Sequence, residues 1–184
     1  MPTVKDLWSY GETGFHSLAA AVVKDRYERE ALVSAFRILG EGQLSLTKFL
    51  LVLNQPQNLR DFKSVLEHVL ARCDLQKDLY VFSNTAMDTL DYAGPKVNEG
   101  SKGVLLGLGE SRRTLKKEFN QTLPRVRQQS VYCAGCLVIS GPSYTEDKEF
   151  PQFLATQSEL SEWPLIVLVD DAKSFKLLIK DVLD

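Results

Sequence analysis

The segment Asn98-Glu99-Gly100-Ser101-Lys102-Gly103 sets one hydroxyl and one ammonium between glycines, where a ligand could come close to the backbone. Open N–H groups, a hydroxyl and a cation together suit a phosphate or another anion. The order is not that of a P-loop, in which the lysine precedes the serine or threonine. A solvated turn ahead of the apolar run Val104 to Leu108 is the plain alternative, and local chemistry leaves both readings open.

Other clusters are weaker. Cys133 and Cys136 form a C-x-x-C pair, half of what a structural zinc site needs. Only Cys73 remains, and neither His16 nor His68 is spaced to complete a site. A redox role would want the pair at a helix N-terminus. Here it precedes the apolar run Leu137 to Ile139 and reads as small residues at a strand edge. Asp88 and Asp91 are close enough to chelate a cation or share a proton, but turn capping is favoured. Arg112, Arg113, Lys116 and Lys117 fall on one helical face, with Arg125 and Arg127 beyond. Without interleaved aromatics, and diluted by Glu110 and Glu118, that face reads as solvated or subunit-facing rather than RNA-binding. His68 falls one residue off the apolar stripe of its helix and is expected at the surface. No Ser/His/Asp set, catalytic carboxylate pair or metal cluster stands out, so no residue is assigned as catalytic or as a metal ligand.

The elements that must position these groups follow from the apolar pattern. Leu18 to Val23 is a strand-length run, and Leu32, Ala35, Phe36 and Leu39 share a helical stripe that Gly40 ends. Phe49 to Leu53 reads as a strand covered on both faces. Asn58 is the expected N-cap of a helix burying Phe62, Leu66, Val69, Leu70 and Cys73, and Asp78 to Phe82 is a further strand. The second half repeats the theme: strand Cys136 to Ser140, helix Phe150 to Ala155, strand Leu165 to Val169. A last helix turns Phe175, Leu178, Ile179, Val182 and Leu183 inward. The expectation is an α/β fold with a mixed, partly parallel sheet and flanking helices, arranged as two similar β-α-β-α halves at about 15–83 and 130–184. Chance similarity between two amphipathic strand–helix units competes with true duplication. The glycine-rich stretch 84–124 reads as an irregular link, too long to be idle, where function is to be sought.

Composition bounds the function. The 184 residues are 44% hydrophobic and 25% charged, the balance of an ordinary globular protein. A formal charge of −2 supplies no field to gather nucleic acid or an acidic membrane. No apolar run approaches the length of a membrane span, and three cysteines argue against a disulfide framework. A cytoplasmic protein is expected.

Several segments, taken in order, resemble the C-terminal domain of the UbiD family of aromatic-acid decarboxylases. They are Leu44-Ser45-Leu46-Thr47-Lys48-Phe49-Leu50-Leu51-Val52, Arg60-Asp61-Phe62, Ala71-Arg72-Cys73-Asp74 with Asp78, Asn84-Thr85-Ala86-Met87-Asp88-Thr89-Leu90-Asp91, and Gly100-Ser101-Lys102. The resemblance implies a decarboxylase of unsaturated or aromatic acids, including quinone precursors, that uses prenylated flavin mononucleotide. It implies that Lys102, with Ser101 and Gly100, reaches the cofactor, and that Leu105 and Leu108 line the wall over flavin and substrate. The family's acid–base carboxylates, its arginine and its divalent-metal ligands all precede the matched region, so this chain is expected to be inactive alone. The implied partners are the upstream flavin-binding domains and further copies of the enzyme. Gly103 to Glu110 departs from the commoner pattern, in which an aspartate follows the lysine. This version and the region after residue 130 resemble the long-form members linked to menaquinone synthesis. The start at Pro2-Thr3-Val4, read as lacking a folded lead-in, suggests an expressed domain. A free-standing oligomerisation module and a small anion-binding regulatory domain are the rival readings.

Overall fold

The computed structural model describes residues 3–13, 17–27, 29–91 and 94–172. The final helix expected over 172–183 therefore lies almost wholly outside the described residues, as does His16. The chain divides into two compact units, Met1–Arg112 and Arg113–Asp184.

The first unit is built on five strands, β1 (Val4–Ser9), β2 (Leu18–Val23), β3 (Phe49–Leu53), β4 (Leu79–Ala86) and β5 (Glu99–Gly107). They lie in the order β1-β2-β3-β5-β4. The central pairs β2–β3 and β3–β5 are parallel, and both outer pairs are antiparallel. β3 is the middle strand, which is why Leu50 to Leu53 form an unbroken apolar run: alternation has no polar face to serve. Helix α1 (Ala31–Gly40) packs Ala31, Ala35, Ile38 and Leu39 onto Ala19, Ala21, Leu50, Val52, Val104 and Leu106. Because strand side chains alternate, Gly107 faces the other side, where α2 (Phe62–Arg72) lies. A Cβ at Gly107 would stand 2.7 Å from the Val69 Cα, so only glycine admits the helix this closely.

The mixed, partly parallel sheet with flanking helices is as expected; several details differ. Val4–Ser9, to which the apolar pattern assigns no element, is an edge strand whose mixed, half-exposed side chains give no apolar signal. Residues 99–107, assigned to an irregular link, are a strand held between β3 and β4. The buried stripe of α1 runs through Ser34 and Ile38 and leaves Phe36 52% exposed. Asp61, not Asn58, caps α2, accepting from the Ser64 amide at 3.2 Å; Asn58 accepts from the Arg60 amide just outside the helix.

The second unit pairs β6 (Gln128–Cys133) antiparallel with β7 (Cys136–Ser140), and β7 parallel with β8 (Leu165–Val169). Helix α3 (Phe150–Ala155) connects the parallel pair. Leu137, Ile139, Phe150, Leu154, Leu160 and Trp163 make its core. The pairing pattern of β6-β7-β8 is that of β1-β2-β3.

His68 also departs from expectation: it is only 5% exposed on α2. Ser64 donates to the Gln57 carbonyl at 3.3 Å, and the Gln57 amide nitrogen donates to His68 Nδ1 at 3.0 Å, which favours a neutral ring. Burial, seconded by the Arg72 cation, holds its pKa below 6.5. The unfolded chain therefore binds the proton first, and stability falls as pH drops from about 6.5 toward the lowered folded value. Urea midpoints measured between pH 7 and 5 should fall more steeply for the native chain than for His68→Gln; equal slopes would show that His68 titrates alike in both states.

Candidate functional site

At the amino ends of the parallel strands, three of the segments singled out in the sequence meet. The short 3₁₀ turn Gly42–Leu46 delivers Ser45, Thr47 and Lys48 to the start of β3. Lys48 donates to Asp91 Oδ2 at 2.7 Å, and the two side chains are only 10% and 9% exposed. Asp91 sits in the turn after β4, where the Asp91 amide donates to the Asp88 carbonyl (3.0 Å) and the Leu90 amide to the Asp88 carboxylate (2.9 Å). Asn98 closes the excursion in a left-handed conformation (φ 64°) that suits asparagine. Its side-chain amide donates to the Met87 carbonyl (2.9 Å), and the Met87 amide donates to the Asn98 carbonyl (3.2 Å). Gly100 is required beneath this turn, since a Cβ there would stand 2.6 Å from Met87 Cγ and 3.1 Å from Asp91 Oδ2.

Lys102 belongs to the same cluster. Its ammonium donates to the carbonyls of Ser45 and Thr47, the latter at 2.9 Å. Burial lowers the Lys102 pKa, and the nearby Asp91 carboxylate opposes the shift. Gly100 and Lys102 are paired with Thr85 and Phe82 of β4, and the Gly103 amide donates to the Lys48 carbonyl at 2.8 Å. The Gly-Ser-Lys segment is thus ladder, not an open anion-cradling loop, and Lys102 is half-buried rather than exposed. Successive strand residues point to opposite faces, so Ser101 turns away from the Lys102 side. Leu105 shares the Ser101 face, whereas Leu108 packs beside the α1 core. The sequence offered Thr47-Lys48 and Asp88–Asp91 as separate signals; the pairing of Lys48 with Asp91, 43 residues apart, has no local signature.

Cys133 and Cys136 are direct partners across the β6–β7 hairpin, both buried, and a hydrogen bond from Cys133 lowers the Cys136 thiol pKa against burial. The C-x-x-C pair is therefore at a strand edge, as expected. Residues 110–124 contain no helix, so Arg112, Arg113, Lys116 and Lys117 do not share a helical face. Arg112 instead pairs with Asp74, and Lys116 with Glu162. Among the described residues no group of three His, Cys, Asp or Glu side chains could hold a metal ion, and no helix is long and apolar enough to cross a membrane.

The family model for the 3-octaprenyl-4-hydroxybenzoate carboxy-lyase C-terminal domain matches residues 1–107, the first unit almost entire. The chain belongs to the UbiD family. Over all 184 residues it is 47% identical to a 4-hydroxybenzoate decarboxylase subunit from Chlamydia pneumoniae, covering 31% of that protein. UbiD-type folds also match in space. Vanillic acid decarboxylase from Sedimentibacter hydroxybenzoicus superposes with a TM-score of 0.54 at 18% identity, over 85% of this chain and 30% of that one. HmfF from Pelotomaculum thermopropionicum, solved with FMN, gives 0.52 at 17% identity, over 67% of this chain and 27% of that one. The chain spans about 30% of the length of the curated relatives it matches.

The Lys48–Asp91 pair should dominate the stability of this end of the UbiD domain. Removing one partner of a buried pair strands a charge and costs about 3–5 kcal/mol. Asp91→Ala should therefore lose roughly that much in urea denaturation, and the double change Lys48→Met with Asp91→Leu should lose less. A single-variant loss within about 0.5 kcal/mol, the usual surface value, would show that the pair is not a support.

Proposed function

We propose that the chain is the C-terminal part of a carboxy-lyase that decarboxylates an aromatic or unsaturated acid, such as a quinone precursor, with prenylated FMN. The observation that carries this reading is family membership joined to the Lys48–Asp91–Lys102 cluster, which brings three of the quoted family motifs together at one end of the sheet. The flavin would supply the electron sink for loss of carbon dioxide. As a paired strand, Gly100 to Lys102 does not fit as a phosphate cradle, and none of the decarboxylation steps is assigned to residues of this chain. On this reading the main seat of the cofactor and its divalent metal lies in the remainder of the longer enzyme.

Lys102 keeps a narrower role. Two of its three ammonium hydrogens point at carbonyls, and the third remains for a flavin phosphate or ring oxygen on an upstream domain. Leu105 faces away from Lys102 across the strand and Leu108 packs beside the α1 core, so on this reading neither is assigned to the cofactor wall. The menaquinone branch, a cytoplasmic location and assembly of several copies belong to the same proposal, and they rest on resemblance alone.

In the full-length enzyme, Lys102→Met should weaken prenylated FMN about ten- to hundredfold, because a charge-assisted contact is worth roughly 1.5–3 kcal/mol. Cofactor titration reads this directly, and unchanged affinity would reduce Lys102 to a clamp on Ser45 and Thr47. The 184-residue chain alone, supplied with prenylated flavin and a divalent metal, should release no carbon dioxide from 4-hydroxybenzoate. Turnover there would refute the proposal that the catalytic groups lie elsewhere.

A further inference from the structure

At the carboxyl ends of β2, β3 and β5, the opposite end of the sheet from Lys102, the first unit opens into a cavity of about 370 Å³. Ligands of open α/β sheets collect at this end of parallel strands. Asp25 follows β2, Asn54 follows β3, and Gly109 follows β5; together they form one side of the cavity. Asn54 ties them together, donating to Asp25 Oδ1 at 3.2 Å and accepting from the Gly109 amide at 3.1 Å.

Four cations from four separate segments converge here: Arg29 before α1, Arg72 at the end of α2, Lys77 before β4 and Arg112 after β5. Two carboxylates, Asp25 and Asp78, line the cavity with them, and Asp74 just outside pairs with Lys77 (4.0 Å) as well as Arg112, so four positive charges meet three negative ones. The guanidinium groups are oriented rather than loose. Arg29, at φ 63°, donates to the Lys77 carbonyl (3.1 Å) and to the Tyr80 hydroxyl, and lies 3.6 Å from Asp78. Arg72 donates through Nε to the Gly109 carbonyl (2.9 Å), through Nη1 to the His68 carbonyl (3.2 Å) and through Nη2 to Gln55 (3.1 Å). Arg112 stands 3.4 Å from Asp74, which is outside the lining. A guanidinium carries five N–H donors in a rigid fork, more than these acceptors use, and the fork matches the oxygen spacing of phosphate.

We propose that this cavity binds a compact phosphate-bearing small molecule, held by Arg72, Arg112, Arg29 and Lys77 and backed by the Asn54–Gly109 contact. The assignment is independent of the decarboxylase reading, since it uses the other end of the sheet. Titration of the 184-residue chain with inorganic pyrophosphate at constant ionic strength, followed by amide NMR, tests it. Saturable shifts centred on Asn54 and Gly109 are expected. The double variant Lys77→Gln with Arg112→Gln removes side chains that are 67% and 51% exposed, so the fold should persist. It should raise the Kd at least about tenfold, the loss of two charge-assisted contacts. Lys116→Gln, which removes a half-exposed cation of the second unit, should leave the Kd unchanged. Shifts that fail to saturate, shifts spread over basic residues generally, or an unchanged Kd in the double variant would overturn the site. Citrate binding as tightly as pyrophosphate would overturn the assignment to phosphate.

Discussion

A lysine and an aspartate far apart in sequence, both nearly out of water, meet at 2.7 Å at the amino end of the sheet. Neither charge is tolerable there without the other, so Lys48 and Asp91 make the approach to β3 and the turn after β4 depend on each other. Gly100 leaves room for the turn, Asn98 closes it, and Lys102 grips the carbonyls that lead into β3. Each of these contacts joins segments well separated along the chain, and they fix one end of the sheet without a helix. Losing one partner alone is what costs most, because the other charge is then left buried and unpaired.

The glycines of β5 have a related logic. Gly100 admits the turn and Gly107 admits α2, while a Cβ at Gly103 would stand 2.8 Å from the Phe49 ring. Glycine in a strand lowers intrinsic strand preference, and here it marks close approach. That is also why the segment reads as a loop when only local chemistry is available: propensity is overridden by neighbours on both edges.

Continuous apolar runs were the legible part of the sequence. Phe49 to Leu53, Cys136 to Ser140, Phe150 to Ala155 and Leu165 to Val169 coincide with β3, β7, α3 and β8 residue for residue. Of the edge strands, β1 and β6 were not legible, because they alternate weakly and bury little on one side. His68 was misplaced because α2 is covered beyond its main stripe by the Gln57 segment, a tertiary fact. The family motifs were readable in order, yet their meeting point was not, since an ion pair across 43 residues leaves no periodicity behind.

The strand order carries a consequence for synthesis. β5 lies between β3 and β4 although it is made after both. When Ala86 emerges, β4 has no β5 to pair with, and one edge of β3 is unsatisfied. Closing the sheet requires the late segment 99–107 to enter a slot between two earlier strands, forming parallel and antiparallel ladders together. Non-local pairings of this kind are slow, and open edges recruit foreign strands in the interval. A ribosome pausing just after β4 would expose a nascent chain whose core still lacks Val104 and Leu106 and whose middle strand is missing a neighbour.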